Sequence, residues 1–329
     1  MRKNQSSLMR LILLAIIVIS VSFTSCKRNV SSNVIKIGYL PIYVDLPLFV
    51  AKEYGFFDKR GLKVDLHRFE SSPEIGTALL NGNIDAGASI ATSVALSIES
   101  RDPGKIKIFI VDAENKDNYL SSFVVLKESG IKTLKDLKGK KIGSFPGPTA
   151  ITFGKMVLEK IGIDPLKDVD FVELAAPTHL SALESKTVDA LFTYEPIATQ
   201  AVIEKNAVKL VPGAVENYII DPWQAGVWVI NDQFKKLRPK DASQFILAIY
   251  DAITLIRSNP EVVKKTLIPY TSIKFNIAVA TPNIPFTKIG EINLEALQKH
   301  ADILFGRKIL SKYINVKKML LEQDFDNIK

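Results

Sequence analysis

The sequence predicts an α/β protein made of two units, each a mostly parallel sheet flanked by helices, with the second unit inserted into the first. Three observations carry this reading. From residue 34 to about residue 115, apolar β-branched runs alternate with helical runs, the rhythm that parallel strands joined by crossover helices produce. The rhythm restarts after residue 121. A further strand-like run, GVWVIND at 226–232, follows the second series and looks like a return to the first unit, ahead of a mostly helical stretch. The expected boundaries are 34–121 plus 226–329 for the first unit and 122–225 for the inserted one.

Taken in order, VIKIGYL (34–40) reads as a strand ended by Pro41. DLPLFVAKEYGFF follows as a helix, with Asp45 at its N-cap, Pro47 in its first turn and Gly55 past its end. LKVDLHRF is a strand, SPEIGTALLNG a helix, IDAGAS a strand, ATSVALSIES a helix and KIKIFIVDA a strand. In the second series, SSFVVLK, KKIGSF, VDFVEL, VDALFTY and AVKLVPG are strands. TLKDLKG, PTAITFGKMVLEKIG, THLSALESK and PIATQAVIEKN are the helices between them. After the crossing strand come ASQFILAIYDAITLIRSNP, EVVKKTLI and INLEALQKHADILF, all with helical spacing.

Composition narrows the class. The chain has 329 residues, 47% hydrophobic and 24% charged, which is ordinary for a globular protein with two full cores. Its net charge is +8, and the leader accounts for Arg2, Lys3 and Arg10, leaving about +5. The remaining lysines (Lys138, Lys140, Lys141, Lys235, Lys236) are scattered over helical segments without interleaved aromatics, which argues against nucleic acid as a partner. Residues 1–26 read as a targeting segment: a basic start, the 13-residue apolar run LILLAIIVISVSF, too short for a membrane span, then FTSC. Small residues before Cys26 resemble a bacterial lipobox, although Phe23 stands where Leu is usual; lipidation at Cys26 and a tether over 27–33 are expected. Cys26 is the sole cysteine, so no internal disulfide and no cysteine metal or redox motif is possible; neither a metal nor a cofactor is expected.

GYLPIYVDLPLFVAKEYGFFDKRGLKVDL, LLNGNIDAGAS, LKGKKIGSFPGPTA and SALESKTVDALFTYEPIATQA occur in order over about 38–200. Together they resemble the periplasmic solute-binding proteins of the nitrate, sulfonate and taurine group, which also holds the thiamine-pyrimidine-precursor binding proteins and is related to fungal pyrimidine synthases. The resemblance implies a two-lobed binding protein of the type II periplasmic fold, with two hinge crossings near 120 and 225. It implies a small-molecule ligand in the cleft between the lobes and delivery to the permease and ATPase subunits of an ABC importer. An exported, lipid-anchored monomer in the cell envelope follows, at the periplasmic or extracellular face.

On that reading the loops at the carboxyl edges of the strands supply the ligand contacts. Tyr43 and Asp45 follow the first strand; Asp45 either caps the next helix or meets the ligand. Ser89 and Thr92 stand at a strand-to-helix turn, where capping alone also explains them. In SFPGPTAI, Gly147 permits close backbone approach, and Thr149 and Ala150 offer free N–H groups at a helix start. His179 opens a further helix behind Thr178, read as its cap. Tyr194 and Glu195 end VDALFTYEP, with Pro196 at the first helical position; Glu195 is a poor capping residue there, and it either faces the cleft or pairs with a lysine. Trp223 offers a stacking face by the second crossing.

These loops hold two acids and three aromatics and no Arg or Lys, which suits a flat, amine-bearing heterocycle better than an anion. The leading expectation is capture of a small nitrogenous, pyrimidine-like molecule, with a sulfonate, taurine or nitrate as the alternative. An enzyme related to the pyrimidine synthases is disfavoured, because those carry a cysteine-rich run that is missing here. No catalytic residue is expected, since Ser89 in GASIA lacks a placed His and acid. A sensory or scaffolding lipoprotein that binds ligand without an importer is the third class.

Overall fold

The β-branched and apolar runs form strands because alternate side chains can be buried on a covered sheet, and here most strands are covered on both faces. The computed structural model describes residues 34–322 except Ser272; the leader, Cys26 and the 27–33 tether lie outside the described residues. The strands are β1 (Val34–Tyr39), β2 (Lys63–Arg68), β3 (Ala86–Ala91), β4 (Ile106–Glu114), β5 (Ser121–Leu126), β6 (Lys141–Ser144), β7 (Asp170–Glu173), β8 (Ala190–Tyr194), β9 (Ala207–Pro212), β10 (Trp223–Asn231) and β11 (Phe286–Lys288). They make two sheets, one of order β11-β4-β10-β3-β1-β2 and one of order β7-β6-β8-β5-β9.

In the first sheet β1 runs parallel to β2 and β3, with Ile37 opposite Ala86. In the second, β6 runs parallel to β7 and β8. Each sheet also holds one central strand that opposes both neighbours: β10 against β3 and β4, and β5 against β8 and β9. These are the strands entered directly after the chain passes from one sheet to the other. A chain leaving β4 at its carboxyl end and entering the second sheet without a crossover helix must run against that sheet's direction. The carboxyl edges of both sheets are thereby brought to the same place.

Helices cover the faces. Pro239–Ser258 buries Phe245, Ile246, Ile249, Ile253 and Ile256 at helical spacing, and its Phe245 ring meets Phe57 and Phe109 at 5.9 Å each. Pro148–Lys160 starts with a proline whose missing N–H costs nothing in the first turn, and it buries Phe153, Val157 and Leu158. The main core runs from the first sheet through Leu120, Phe153, Ile220 and Trp223 to Phe123 and Phe192 of the second. No helix among the described residues is long and apolar enough to cross a membrane.

Several local expectations differ from the structure. Asp45 occupies the cap position of the helix Leu46–Glu53 and makes no capping bond; its carboxylate turns back to the Leu40 N–H at 2.6 Å. Thr178 does not cap His179–Glu184 either, because its hydroxyl donates to the Ala175 carbonyl. The helix after β8 starts at Ile197, which leaves Pro196 at the cap and Glu195 before it. The return strand begins at Trp223 rather than Gly226, and the short edge strand β11 and the helix Ala214–Tyr218 were not foreseen.

Candidate functional site

The two carboxyl edges enclose a cleft of about 790 Å³, counting the space open to solvent at its mouth. The turn after β1 (Leu40 to Val44), the segment Glu70–Pro73, Ser89 of β3 and Asp112 of β4 form one side with Trp223, Ala225 and Gly226 of β10. The segment Phe145–Ala150 and the β8 end, Tyr194 and Glu195, form the other. Gly147 has φ +99°, a conformation that favours glycine, and a Cβ there would stand 3.3 Å from Pro73 Cγ on the facing side. The wall is largely apolar, and among the described residues no Lys or Arg lines it.

Of the sequence-predicted residues, Ser89, Gly147, Thr149, Ala150, Tyr194, Glu195 and Trp223 line this cleft. Tyr43, Asp45, Thr92 and His179 do not. Tyr43 is buried with its hydroxyl 3.3 Å from Asn283 Oδ1. Thr92 donates to the Gln224 carbonyl at 2.8 Å and ties a helix start to β10. His179 lies behind Phe145, with Nδ1 2.9 Å from Thr193 Oγ1 and Nε2 3.0 Å from the Leu174 carbonyl. Only a protonated Nε2 can bond a carbonyl, so Nδ1 accepts from Thr193. Burial pushes this imidazole down to about 4, and it stays neutral.

Aromatic rings form a continuous wall. Phe145 stacks on Tyr194 (5.0 Å, 13°), and Tyr194 meets Trp223 at 5.9 Å. The Glu195 carboxylate is 1% exposed and fully engaged: Oε1 accepts from Lys209 Nζ at 2.5 Å, and Oε2 from the Thr199 N–H at 3.0 Å. The lysine pairing named as one option for Glu195 is thus present, and it neutralises that wall.

The residue that sequence reasoning missed is Asp112. It is 1% exposed, its Oδ1 accepts from Ser89 Oγ at 2.6 Å, and its Oδ2 has no partner among the described residues. Burial pushes its carboxyl up to about 7, against the Ser89 hydroxyl and the backbone N–H groups of Asp112 and Gly226, which hold it down in part. Gly226 makes room for it, since a Cβ there would collide with Ser89 Oγ and lie 2.6 Å from Asp112 Oδ1. The available signal was a carboxylate inside the otherwise apolar run IKIFIVDA, which a fully covered strand tolerates only with a purpose. Phe145, Glu70 and Pro73 were also missed. Two residues on, Glu114 accepts from the Leu120 N–H (2.8 Å), the Ser121 N–H, Ser121 Oγ (2.9 Å) and the Glu216 N–H (2.9 Å), which fastens both crossings to β4.

Two sheets of this topology with a cleft at their facing carboxyl edges are the architecture of the periplasmic binding-protein fold. The fold is shared with the alkanesulfonate-binding protein SsuA of Xanthomonas axonopodis pv. citri, bound to MOPS (TM-score 0.73, 20% identity, 88% of this chain and 98% of that one). The NMT1-like family model matches residues 29–267, and the chain belongs to that family. Among curated relatives, a Brucella abortus protein provisionally named a binding protein is 27% identical over 233 residues, 69% of this chain and 68% of its own length. A Haemophilus influenzae protein provisionally named for thiamine biosynthesis is 23% identical over 286 residues, covering 84% and 87% of the two chains.

Proposed function

We propose that this chain is the extracytoplasmic solute-binding lipoprotein of an ABC importer, and that it holds a small nitrogenous organic molecule, pyrimidine-like in shape, between its two lobes. The lobes correspond to residues 34–121 plus 226–329 and residues 122–225. Family membership and the fold support solute capture, and the importer role is what the family resemblance of the sequence blocks over 38–200 adds. The observation that carries the ligand class is the cleft wall: stacked aromatics, a buried carboxylate with a free oxygen, and no lining cation. A flat ring can stack against such a wall, and its N–H groups supply the donor a carboxylate needs. A thermal-shift panel of aminopyrimidines, taurine, alkanesulfonates and nitrate tests this. Stabilisation by the pyrimidines is expected, and stabilisation by sulfonates alone would overturn it.

The competing reading, a sulfonate or nitrate ligand, draws on the helix Pro148–Lys160, whose start at Thr149 and Ala150 lines the cleft. Against it, no Lys or Arg among the described residues lines the cleft to pair with an anion. Binding without turnover is the reading adopted, because Ser89 donates to Asp112 and His179 is bonded away from the cleft.

A further inference from the structure

The cleft wall carries three polar residues with an unpartnered atom: an acceptor at Asp112 Oδ2, an indole donor at Trp223 Nε1 and the Tyr194 hydroxyl. Asp112 and Trp223 are essentially fully buried. Buried polar groups normally find partners, so a set left open around one cavity describes the complement of what fills it.

The surroundings of Asp112 give that complement a charge. From β3 it meets Ser89, from β10 Gly226, and from β11 the paired residue Phe286. Lys288 of β11 is turned away, with Nζ on Thr254 Oγ1 and over the Tyr250 ring. The turn after β1 brings Asp45, itself fully buried with a free Oδ1 and raised by burial and by the Asp112 charge. On β4 itself Glu114 is fully bonded. Elsewhere on the cleft wall the charged groups are Glu70, which accepts from Arg68 Nε at 3.2 Å, and the Lys209-paired Glu195. Among the described residues no cation lines the cleft beside Asp112, and its buried neighbour Asp45 is acidic as well.

Resting on the solute-capture reading, we infer that Asp112 is the specificity-determining residue of the cleft: its free oxygen receives a cationic nitrogen of the ligand, an ammonium, amidinium or protonated amino-heterocycle, while the Trp223 indole N–H donates to an acceptor on the same molecule. Glu195 is already neutralised by Lys209, which leaves Asp112 as the buried cleft carboxylate without a cation partner among the described residues. Lone burial of the Asp112 carboxylate is unfavourable, so the empty cleft keeps a proton on it through much of the neutral range. A cationic ligand binds the ionised form and displaces that proton to solvent.

Isothermal calorimetry on the purified chain tests this with shape-matched probes: benzamidine against benzamide, 4-aminopyridine against 4-methylpyridine, and ethanesulfonate with methanesulfonate as anionic arms. The cationic probes should bind at least tenfold more tightly than their matched partners. Their affinity should fall about tenfold per pH unit below pH 7, with about one proton released per site in buffers of different ionisation heat. Asp112→Asn should remove both the preference and the pH dependence. Should that variant not fold, the wild-type pH dependence and proton count decide alone. Neutral or sulfonate probes that bind as tightly, with no response to pH, would overturn the assignment and leave solute capture standing. Failure of every probe to bind would overturn both together.

Discussion

Lys209 Nζ sits between Glu195 and Thr199, and over the Tyr119 ring at 4.9 Å, with a side chain only 12% exposed. Removing one partner of so buried a pair leaves an uncompensated charge. Lys209→Met should therefore cost about 3–5 kcal/mol in chemical denaturation, while combining Lys209→Met with Glu195→Gln should recover most of that. A second consequence at this scale concerns pH. Asp112 and Glu114 are each pushed up to about 7 by burial, and Asp45 is raised in the same sense. The stability these groups contribute is fully present below the unfolded carboxyl values near 4 and is lost as pH rises through the folded values. His179 and His300, pushed down to about 4 by burial, act in the opposite sense, and only as pH falls below about 6.5. Between about pH 6.5 and 8 the melting temperature of the unliganded protein should therefore fall as pH rises; a rise across that window would contradict the assignment.

At the scale of strands and helices, β4 and its two neighbours set the cleft. Glu114 satisfies the backbone of both crossings, so Glu114→Ala should strip partners from Leu120, Ser121 and Glu216 and lower stability by about 3 kcal/mol or more. Gly226→Ala forces a methyl against Ser89 and Asp112; the expected result is a loss of about 1–3 kcal/mol with ligand affinity abolished, read by melting and calorimetry together. The strands and long helices were legible because each is a clear apolar run at period 2 or 3.6, bounded by Gly, Pro or polar residues. The reversed strands β5 and β10 were legible only as crossings, since direction comes from topology and not from local pattern. β11 is three residues long on an edge and carries too little pattern to be read. For the site, the strand-end loops were visible in the sequence, and seven of the eleven predicted residues reach the cleft. The sequence could not separate Asp45 and His179 from ligand contacts, because a polar side chain beside a turn can satisfy backbone groups as readily as a ligand. Asp112 was not legible because it sits within a strand whose apolar pattern reads as core.

At the scale of the whole molecule, polar groups attached to the two sheets also meet outside the cleft walls. Ser93 Oγ meets Thr149 Oγ1 in the interior, Arg307 forms a two-pronged pair with Glu159, and Lys274 Nζ lies 2.8 Å from Glu204. The two ion pairs are partly exposed, and each is worth no more than about 1 kcal/mol. They suit a clamp that must reopen to release its load. Glu159→Arg should raise the ligand dissociation rate by about threefold at low salt and much less at high salt, as measured by stopped-flow fluorescence; a salt-independent effect would point to lost packing instead. The most direct measurement of the central claim is mass spectrometry of the small molecule released from the purified protein on denaturation. The account predicts a compound bearing a basic nitrogen, present with the wild-type chain and missing from Gly226→Ala. A sulfonate or nitrate in its place, or equal retention by both proteins, would contradict it.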